Sequence, residues 1–284
     1  MGSVQPKVIE TTDFRWNVHT AGNPEHQPLI WLHGFSGSGE IFMSLADEIL
    51  KRTPPLFIIA PDLPGHGKTE LISGDESAFS ADKQVGNLRE LIIKMNLSKS
   101  PVLSGYSMGG RLAIQLAVSE FSGYSALIAE SSTPGIDSDE LREERRQLDL
   151  ERAKFIQHHF NQFLTDWDNL PVFKNSAEIP EKLGQLQKQI RSKQSPEGLA
   201  LSIKFFGTGS MPSAWNKLSI IKKPFLIITG ELDEKFCGIG RMMASEAETA
   251  SHKIIPDCGH RVHLESSNRY IAAITEFISS QNLS

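Results

Sequence analysis

The segment PVLSGYSMGGRLAIQLA, residues 101–117, decides the fold because an apolar strand, a tight turn and a helix follow one another in it without a gap. Its centre, Gly105 to Gly109, matches the pattern G-x-S-x-G, with Ser107 as the serine. Glycines on both sides let the chain turn sharply, so that the serine hydroxyl projects over the end of the strand. The free N–H groups at the helix start favour negative charge there. The segment therefore predicts a reactive serine and not a chance glycine-serine turn.

The rest of the chain supplies the sheet that such a turn needs. Three other apolar runs of strand length end in turn residues, at residues 28–34, 55–62 and 224–233. Helical patterns separate or follow the strands, at residues 40–52, 80–95, 110–121 and 266–280. Strands that alternate with helices predict an α/β fold with a mostly parallel, doubly wound sheet. In such a sheet the ligand binds beyond the carboxyl ends of the strands, so the residues that follow each strand deserve the closest inspection.

The alternation stops between residues 134 and 212, where the patterns are helical only. A helical insertion at the ligand edge of an α/β sheet is typical of a cap. We therefore expect an α/β-hydrolase core in two parts, residues 1–133 and 213–284, with a helical cap at residues 134–212.

Composition narrows the partners and the compartment. The 284 residues are 39% hydrophobic and 22% charged, an ordinary globular balance, and the formal net charge is -5. An acidic chain is a poor partner for nucleic acid or an anionic membrane. No apolar run is long enough to span a membrane, and no secretion signal is visible. Two cysteines cannot form a disulfide framework, so we expect a cytoplasmic protein. The sequence leaves open whether it is a monomer or a homo-oligomer.

A reactive serine needs a base, and the base needs a carboxylate that orients it. His260 follows Gly259 near the end of a short apolar run, and Asp233 directly follows the strand at residues 224–230. The order Ser107, Asp233, His260 is that of an α/β-hydrolase. Three residues remain rivals for these roles, His263 for the base and Glu231 or Asp257 for the acid.

The loop after the first strand carries the other expected groups. The backbone N–H of Phe35, together with that of Met108, is expected to form an oxyanion hole. His33, which precedes the loop, is expected to contact the substrate. The loop glycines and Asp62 resemble a dinucleotide site only weakly, because their order differs from G-x-G-x-x-G. We expect no metal site, since the adjacent His158 and His159 point apart on a helix.

Arg111 lies four residues after Ser107, which places both on one face at the start of the helix. An ester hydrolase gains little from a guanidinium at this position. A site for a carboxylate substrate gains a bidentate anchor. A structural ion pair is the alternative interpretation.

The combined motifs resemble those of the MenH family, the 2-succinyl-6-hydroxy-2,4-cyclohexadiene-1-carboxylate synthases. The resemblance lies in LHGFSGSGEIF, DLPGHGKT, GYSMGGRLA, LREERRQLD, FLTDWDNLPVF, GTGSMPSAW, GELDEKF and GHRVHLE. These motifs cover most of the chain, including the cap. The G-x-S-x-G turn alone marks only the α/β-hydrolase superfamily, and the cap motifs make the resemblance specific.

The resemblance implies a role for each matching position. It implies a catalytic triad of Ser107, Asp233 and His260. The family's substrate-carboxylate arginines fall on Arg111, Arg145 and Arg191, although Arg142 or Arg146 is an alternative to Arg145 because all three share one charged helix. The family's pocket-lining aromatic residues fall on Tyr106, Trp167 and Phe173. The alternative role for Trp167 and Phe173 is to hold the cap together.

The implied activity is the elimination of pyruvate from 2-succinyl-5-enolpyruvyl-6-hydroxy-3-cyclohexene-1-carboxylate, a polycarboxylate, in menaquinone or phylloquinone biosynthesis. Ser107, activated by His260, would remove a ring proton, and no cofactor or metal is implied. Two alternatives stay open. One is a carboxylesterase or carbon–carbon bond hydrolase of the same fold, and the other is a small-molecule receptor without catalysis.

Overall fold

The computed structural model describes residues 5–52, 54–173 and 177–281. Nine strands are present in the described ranges: β1 (Gln5–Glu10), β2 (Phe14–Gly22), β3 (Gln27–Leu32), β4 (Leu56–Pro61), β5 (Glu70–Leu71), β6 (Val102–Tyr106), β7 (Ala126–Glu130), β8 (Phe225–Gly230) and β9 (Ala250–Ile255). The strands form one sheet in the order β1-β2-β4-β3-β6-β7-β8-β9, and β5 pairs with β2. Every pair from β4 to β9 is parallel, whereas β1, β2 and β5 are antiparallel to their neighbours. The predicted α/β fold with a mostly parallel sheet is confirmed.

The helices of the described ranges connect these strands or follow the last one. They are α1 (Glu40–Arg52), α2 (Ala81–Lys94), α3 (Met108–Ala117), α4 (Asp139–His158), α5 (Phe160–Trp167), α6 (Glu181–Ser192), α7 (Pro196–Phe206), α8 (Glu234–Glu246), α9 (Val262–Glu265) and α10 (Ser267–Ser280). Short 3₁₀ turns lie at Glu76–Phe79, Pro171–Phe173 and Trp215–Ile220. None of the helices within the described residues is long and apolar enough to cross a membrane.

The sheet is covered on both faces, which explains why its central strands are apolar throughout. In β3, Ile30 and Leu32 join one hydrophobic core, while Leu29 and Trp31 join the other. The first core contains side chains of α2, α3 and α8, and the second contains side chains of α1 and α10. Alternate residues of one strand thus enter opposite cores, as the two-residue repeat of a strand requires.

Helices α4 to α7 lie between β7 and β8 in the chain, and we call them the cap. They have a small apolar core of their own, made of Ala153, Ile156, Phe163, Leu199, Ala200 and Ile203. Phe35 of the loop after β3 and Trp167 of α5 pack against this core, so the cap contacts the loop that follows a central strand. The cap helices all fall within residues 134–212. The domain boundaries given above remain a prediction.

Candidate active site

The turn between β6 and α3 holds Ser107 in a strained backbone conformation, with φ 50° and ψ −105°. Few residues with a Cβ atom adopt positive φ, and such strain is concentrated at functional sites. The flanking glycines make the turn possible. A Cβ on Gly109 would lie 2.2 Å from the carbonyl oxygen of Leu32, and one on Gly105 would lie 2.4 Å from the carbonyl carbon of Gly109. The backbone N–H of Ser107 donates to the Glu130 carbonyl at 2.8 Å, which fixes the turn to the neighbouring strand β7.

Ser107, His260 and Asp233 form a hydrogen-bonded chain. The Nε2 atom of His260 lies 3.2 Å from Ser107 Oγ, and its Nδ1 atom lies 2.6 Å from Asp233 Oδ2. Asp233 precedes α8 and accepts the N–H of Phe236 through its other oxygen at 3.4 Å. The His260 and Asp233 residues are only 3% and 8% exposed. The short contact to the carboxylate favours the tautomer with a proton on Nδ1, which leaves Nε2 as an acceptor for the serine hydroxyl.

The three rival residues are occupied elsewhere. His263 is buried and pairs with the buried carboxylate of Glu130, with Nδ1 and Oε1 2.7 Å apart. The backbone N–H of His263 also donates to Glu130 Oε1 at 2.9 Å. Glu231 accepts the N–H of Asp257 at 3.1 Å in an exposed loop. His263 therefore holds α9 to the end of β7, and neither acid contacts His260.

A cavity of about 700 Å³ lies between the sheet edge and the cap, and Ser107 and His260 line it. Phe35 and Met108, the two expected oxyanion-hole residues, also line it. Within the described ranges, the backbone N–H of neither residue has a hydrogen-bond partner, as is normal for Met108 at the first position of α3. Ser107 and two residues with unpaired backbone N–H groups thus line the same cavity.

One cluster of arginines in this cavity surrounds a single carboxylate. Arg111, Arg145 and Arg152 all line the cavity, and Arg145 Nε donates to Asp149 Oδ1 at 2.8 Å. Arg111 donates to the Phe206 carbonyl at 3.0 Å and lies 5.2 Å from the centre of the Phe206 ring. Burial, followed by repulsion from Arg145, lowers the pKa of Arg111 to about 10. The pKa of Arg152 is also lowered, first by burial and then by Arg145.

Burial is the main cause of both shifts, and the repulsion from Arg145 adds to it. Among the described residues, the completely buried Asp149 is the carboxylate that counters this repulsion. Arg111 still carries its proton near neutral pH, so the cluster presents uncompensated cations to the cavity. Such an arrangement favours an anion within it.

Arg145 is the one of three neighbouring arginines that lines the cavity. Arg142 pairs with Asp139 and donates to the Ile136 carbonyl, whereas Arg146 pairs with Glu143. Both pairs lie on α4 itself. Of the three arginines that the sequence left open, the position of Arg145 therefore fits a substrate contact best.

A second cluster joins the cap to the core. Arg191 of α6 and Arg261, which follows His260, both line the cavity and both donate to the carboxylate of Asp168 at the end of α5. Arg261 also lies 4.4 Å from the centre of the Phe173 ring. The cap aromatic residues Trp167 and Phe173 line the cavity together with Tyr106, whose ring lies 5.5 Å from the His260 ring.

His33 is not brought into the cavity, and its expected contact with the substrate is corrected here. The side chain is completely buried. Its Nε2 accepts the N–H of Leu63 at 2.9 Å, and its Nδ1 donates to the Gly34 carbonyl at 2.8 Å. Burial lowers the pKa of His33, which is consistent with a neutral ring held between two loops. The residue shapes the loop that carries Phe35.

Sequence reasoning missed two of the arginines that line the cavity, Arg152 and Arg261. Arg152 lies seven residues after Arg145, a spacing that places both on one face of a helix, and this signal was available. Arg261 offered no comparable signal beyond its place next to His260. Among the described residues, no group of three or more His, Cys, Asp or Glu side chains is arranged to hold a metal ion.

Comparison with known proteins gives the same fold and a specific set of relatives. The family model for the alpha/beta hydrolase family matches residues 29–274. A Bacillus subtilis protein to which 2-succinyl-6-hydroxy-2,4-cyclohexadiene-1-carboxylate synthase activity is ascribed is 34% identical over 282 residues, which cover 99% of this chain and 100% of that protein. The synthase of that name from Salmonella typhimurium is 30% identical over 92% of this chain and 97% of its own length.

Solved structures agree. MenH from S. aureus superposes with a TM-score of 0.85 at 35% identity, and the match covers 95% of this chain and 99% of that one. A thermophilic esterase from Thermogutta terrifontis gives a TM-score of 0.77 at 23% identity, covering 98% of this chain and 99% of its own. At that identity the esterase indicates the shared fold alone.

Proposed function

The chain belongs to the 2-succinyl-6-hydroxy-2,4-cyclohexadiene-1-carboxylate synthase (MenH) family of alpha/beta hydrolases, and we propose that it is the lyase of menaquinone or phylloquinone biosynthesis that makes this compound. Its substrate is then 2-succinyl-5-enolpyruvyl-6-hydroxy-3-cyclohexene-1-carboxylate, and its second product is pyruvate. The observation that carries the proposal is the presence of a Ser107–His260–Asp233 chain and five arginines around one cavity.

The two compounds define the bonds that change. Ring carbon 2 bears a hydrogen in the substrate and none in the product, while carbon 5 loses its enolpyruvyl oxygen. The double bond between carbons 3 and 4 is replaced by two double bonds, one between carbons 2 and 3 and one between carbons 4 and 5. The reaction is therefore a 1,4-elimination, and the proton it removes is acidified by the adjacent succinyl ketone.

Ser107 is the base for this proton in our proposal. Its Oγ takes the proton from carbon 2 as its own proton passes to His260 Nε2, and Asp233 stabilises the resulting imidazolium. His260 then returns the proton to the departing enolpyruvate, whose enol converts to pyruvate. Positioned bases of this kind contribute about 10²- to 10⁴-fold to the rate. No acyl-enzyme forms on this route, and it needs no cofactor.

Negative charge moves onto the succinyl ketone oxygen when carbon 2 loses its proton. The backbone N–H groups of Phe35 and Met108 are the donors that would stabilise this enolate, and such preorganised donors are strongest in a site that excludes water. Arg111 and Arg145 would hold one substrate carboxylate and Arg191 another. Three carboxylates on the substrate account for so many arginines in an acidic protein.

The test is pyruvate release from the enolpyruvyl substrate, generated in place by the enzyme that makes it, against spontaneous loss in the absence of this protein. We expect release far above the blank. Turnover of a simple neutral ester is measured in parallel. Release at the blank rate, with rapid turnover of the ester, would mean that the protein is a carboxylesterase or another hydrolase of this fold. Tight binding of a small molecule without turnover of either compound would instead indicate a receptor.

A further inference from the structure

Arg191 and Arg261 share one carboxylate. Arg191 Nη1 lies 2.8 Å from Asp168 Oδ2, and Arg261 Nη1 lies 3.1 Å from Asp168 Oδ1. Each oxygen thus serves one guanidinium. The three side chains come from distant parts of the chain, since Asp168 ends α5, Arg191 belongs to α6 and Arg261 follows the histidine of the triad.

The carboxylate and the guanidinium groups differ in their access to the cavity. Arg191 and Arg261 both line it, together with Gln187. Asp168 does not line the cavity and instead lines a neighbouring groove together with Lys188 and Arg191. The two arginines therefore line the cavity, whereas the carboxylate that they share does not.

Each guanidinium also keeps a donor that no described residue accepts. The Nε atoms of Arg191 and Arg261 are buried and have no hydrogen-bond partner among the described residues. The side chain of Arg191 is 5% exposed and that of Arg261 is 10% exposed. A buried cationic N–H without an acceptor is costly, and the charge of an anion bound beside the two guanidinium groups would offset part of that cost.

The packing favours a carboxylate as the ligand of this pair. Asp168 contacts both guanidinium groups, and the buried carboxylate of Glu265 lies 3.9 Å from Arg261 Nε. Arg261 stacks on Phe173 at 4.4 Å and donates to Gln187 Oε1 at 3.3 Å. These contacts restrict the guanidinium plane, and a preorganised planar group binds carboxylates well.

We propose that Arg261 completes, together with Arg191, a carboxylate subsite next to His260, and that Asp168 is the positioning residue that holds both guanidinium groups from outside the cavity. The subsite rests on the proposed function in one respect, because a substrate with several carboxylates needs more than the Arg111 cluster. Arg261 is thus a specificity-determining residue that acts at the substrate, whereas Asp168 acts only through the two arginines.

The experiment measures the affinity for succinate, a simple dicarboxylate probe, by titration calorimetry in wild type, Arg261→Gln and Asp168→Asn. We expect Arg261→Gln to weaken succinate binding about 10- to 100-fold, the usual cost of losing a charged hydrogen-bond partner. Asp168→Asn should weaken it about 3- to 10-fold, because the guanidinium groups lose their support. Removal of a negative charge would by simple electrostatics strengthen anion binding, so the sign of this change separates positioning from charge.

Matched controls remove the same charges from nearby exposed positions. Asp166→Asn alters an aspartate two residues away that pairs only with Gln162, and Arg269→Gln alters an arginine on α10 that is 52% exposed. Both should bind succinate as wild type does. If Arg261→Gln proves unstable, Arg261→Lys keeps the charge without the planar fork and should bind with intermediate affinity.

Three results would overturn the subsite: no measurable binding of succinate to wild type, unchanged binding in Arg261→Gln, or stronger binding in Asp168→Asn. The last result would show that Asp168 competes with the ligand.

The substrate gives a second readout, since Arg261→Gln should raise KM for pyruvate release far more than it lowers kcat. If succinate binding follows the expected pattern but pyruvate is not released, the lyase proposal fails and the subsite stands. If pyruvate is released but Arg261→Gln changes neither KM nor the affinity for succinate, the subsite fails and the lyase proposal stands.

Discussion

The Nδ1 atom of His260 lies 2.6 Å from Asp233 Oδ2, and both residues are shielded from water. This contact fixes the imidazole tautomer and its orientation toward Ser107. Asp233→Asn should therefore reduce kcat for pyruvate release by about 10²- to 10⁴-fold with little change in KM, because an amide N–H in place of the carboxylate favours the wrong tautomer. Steady-state kinetics test this, with the exposed Glu231→Gln as a control that should retain wild-type kcat. A similar small loss in both variants would contradict the role of Asp233.

Arg111 lines the cavity, and Asp149 is the carboxylate that acts on its charge. Arg111→Met should lower kcat/KM for the enolpyruvyl substrate by about 10- to 100-fold, since it removes a charged hydrogen-bond donor but keeps much of the packing volume. Turnover of any neutral ester should be unaffected. The control is Arg89→Met, because Arg89 is an exposed arginine on α2 that stacks over the Phe121 ring. Equal losses for the carboxylated and neutral compounds would indicate that Arg111 is only a structural residue.

The turn at Ser107 should tolerate no side chain at Gly109. A Cβ there would lie 2.2 Å from the Leu32 carbonyl oxygen, and this backbone atom cannot move away without distorting β3. Gly109→Ala should lower the free energy of unfolding by about 2 kcal/mol or more. Gly86→Ala provides the opposite case in helix α2, where no described atom outside the adjacent residues and the helix's own backbone lies within 4 Å of the added Cβ. That change should stabilise the protein by about 0.5 to 1 kcal/mol. Urea unfolding of both variants measures the contrast, and a neutral Gly109→Ala would contradict the close approach.

Stability should fall with acid because of a buried histidine. His66 donates from Nδ1 to the Pro64 carbonyl at 3.0 Å, and burial, then repulsion from His33, lowers its pKa from 6.5 to about 3. Between these values the unfolded chain binds a proton that the folded chain does not. The contribution of His66 is therefore complete above pH 6.5 and is lost as the pH falls toward 3.

Each such proton changes the free energy of unfolding by about 1.4 kcal/mol per pH unit. Wild type should thus lose about 2 to 3 kcal/mol from this residue between pH 6.5 and 4.5. In His66→Gln the difference between these two pH values should shrink by that amount, whereas His158→Gln, at an exposed histidine, should leave it unchanged. Urea unfolding at both pH values measures it. The same pH dependence in all three proteins would show that His66 does not carry the effect.

The strands that the sequence identified are those buried on both faces. Strands β3, β4, β6 and β8 are continuous apolar runs, and each is completely buried. Strand β2 was missed although Phe14, Trp16 and Val18 alternate with the polar Arg15, Asn17 and His19, which is the two-residue repeat of a half-buried strand. Strand β7 was also missed, and it ends at Glu130, whose carboxylate is buried against the imidazole of His263. Burial of a hydrogen-bonded carboxyl and imidazole pair from distant segments is a tertiary fact that no local pattern records.

The site shows the same division. Local spacing was enough to place Ser107 and Arg111 together, whereas Arg145 came from the resemblance to the family, with Arg142 and Arg146 left open. It was not enough for His33, because a position after a strand does not reveal whether the ring turns toward the ligand or into the loop. Arg261 was missed for a related reason. Its partners Asp168 and Phe173 lie about 90 residues earlier in the chain, and only the folded cap brings them together.

The central claim is that Ser107 removes the ring proton, and its most direct test is the rate of pyruvate release by Ser107→Ala. We predict that kcat falls by about 10²- to 10⁴-fold while the protein stays folded and still binds succinate. Wild-type protein sampled during turnover should show no added mass on Ser107. Pyruvate release by Ser107→Ala at the wild-type rate, or a covalent adduct on Ser107 that forms and decays at the rate of turnover, would contradict the account.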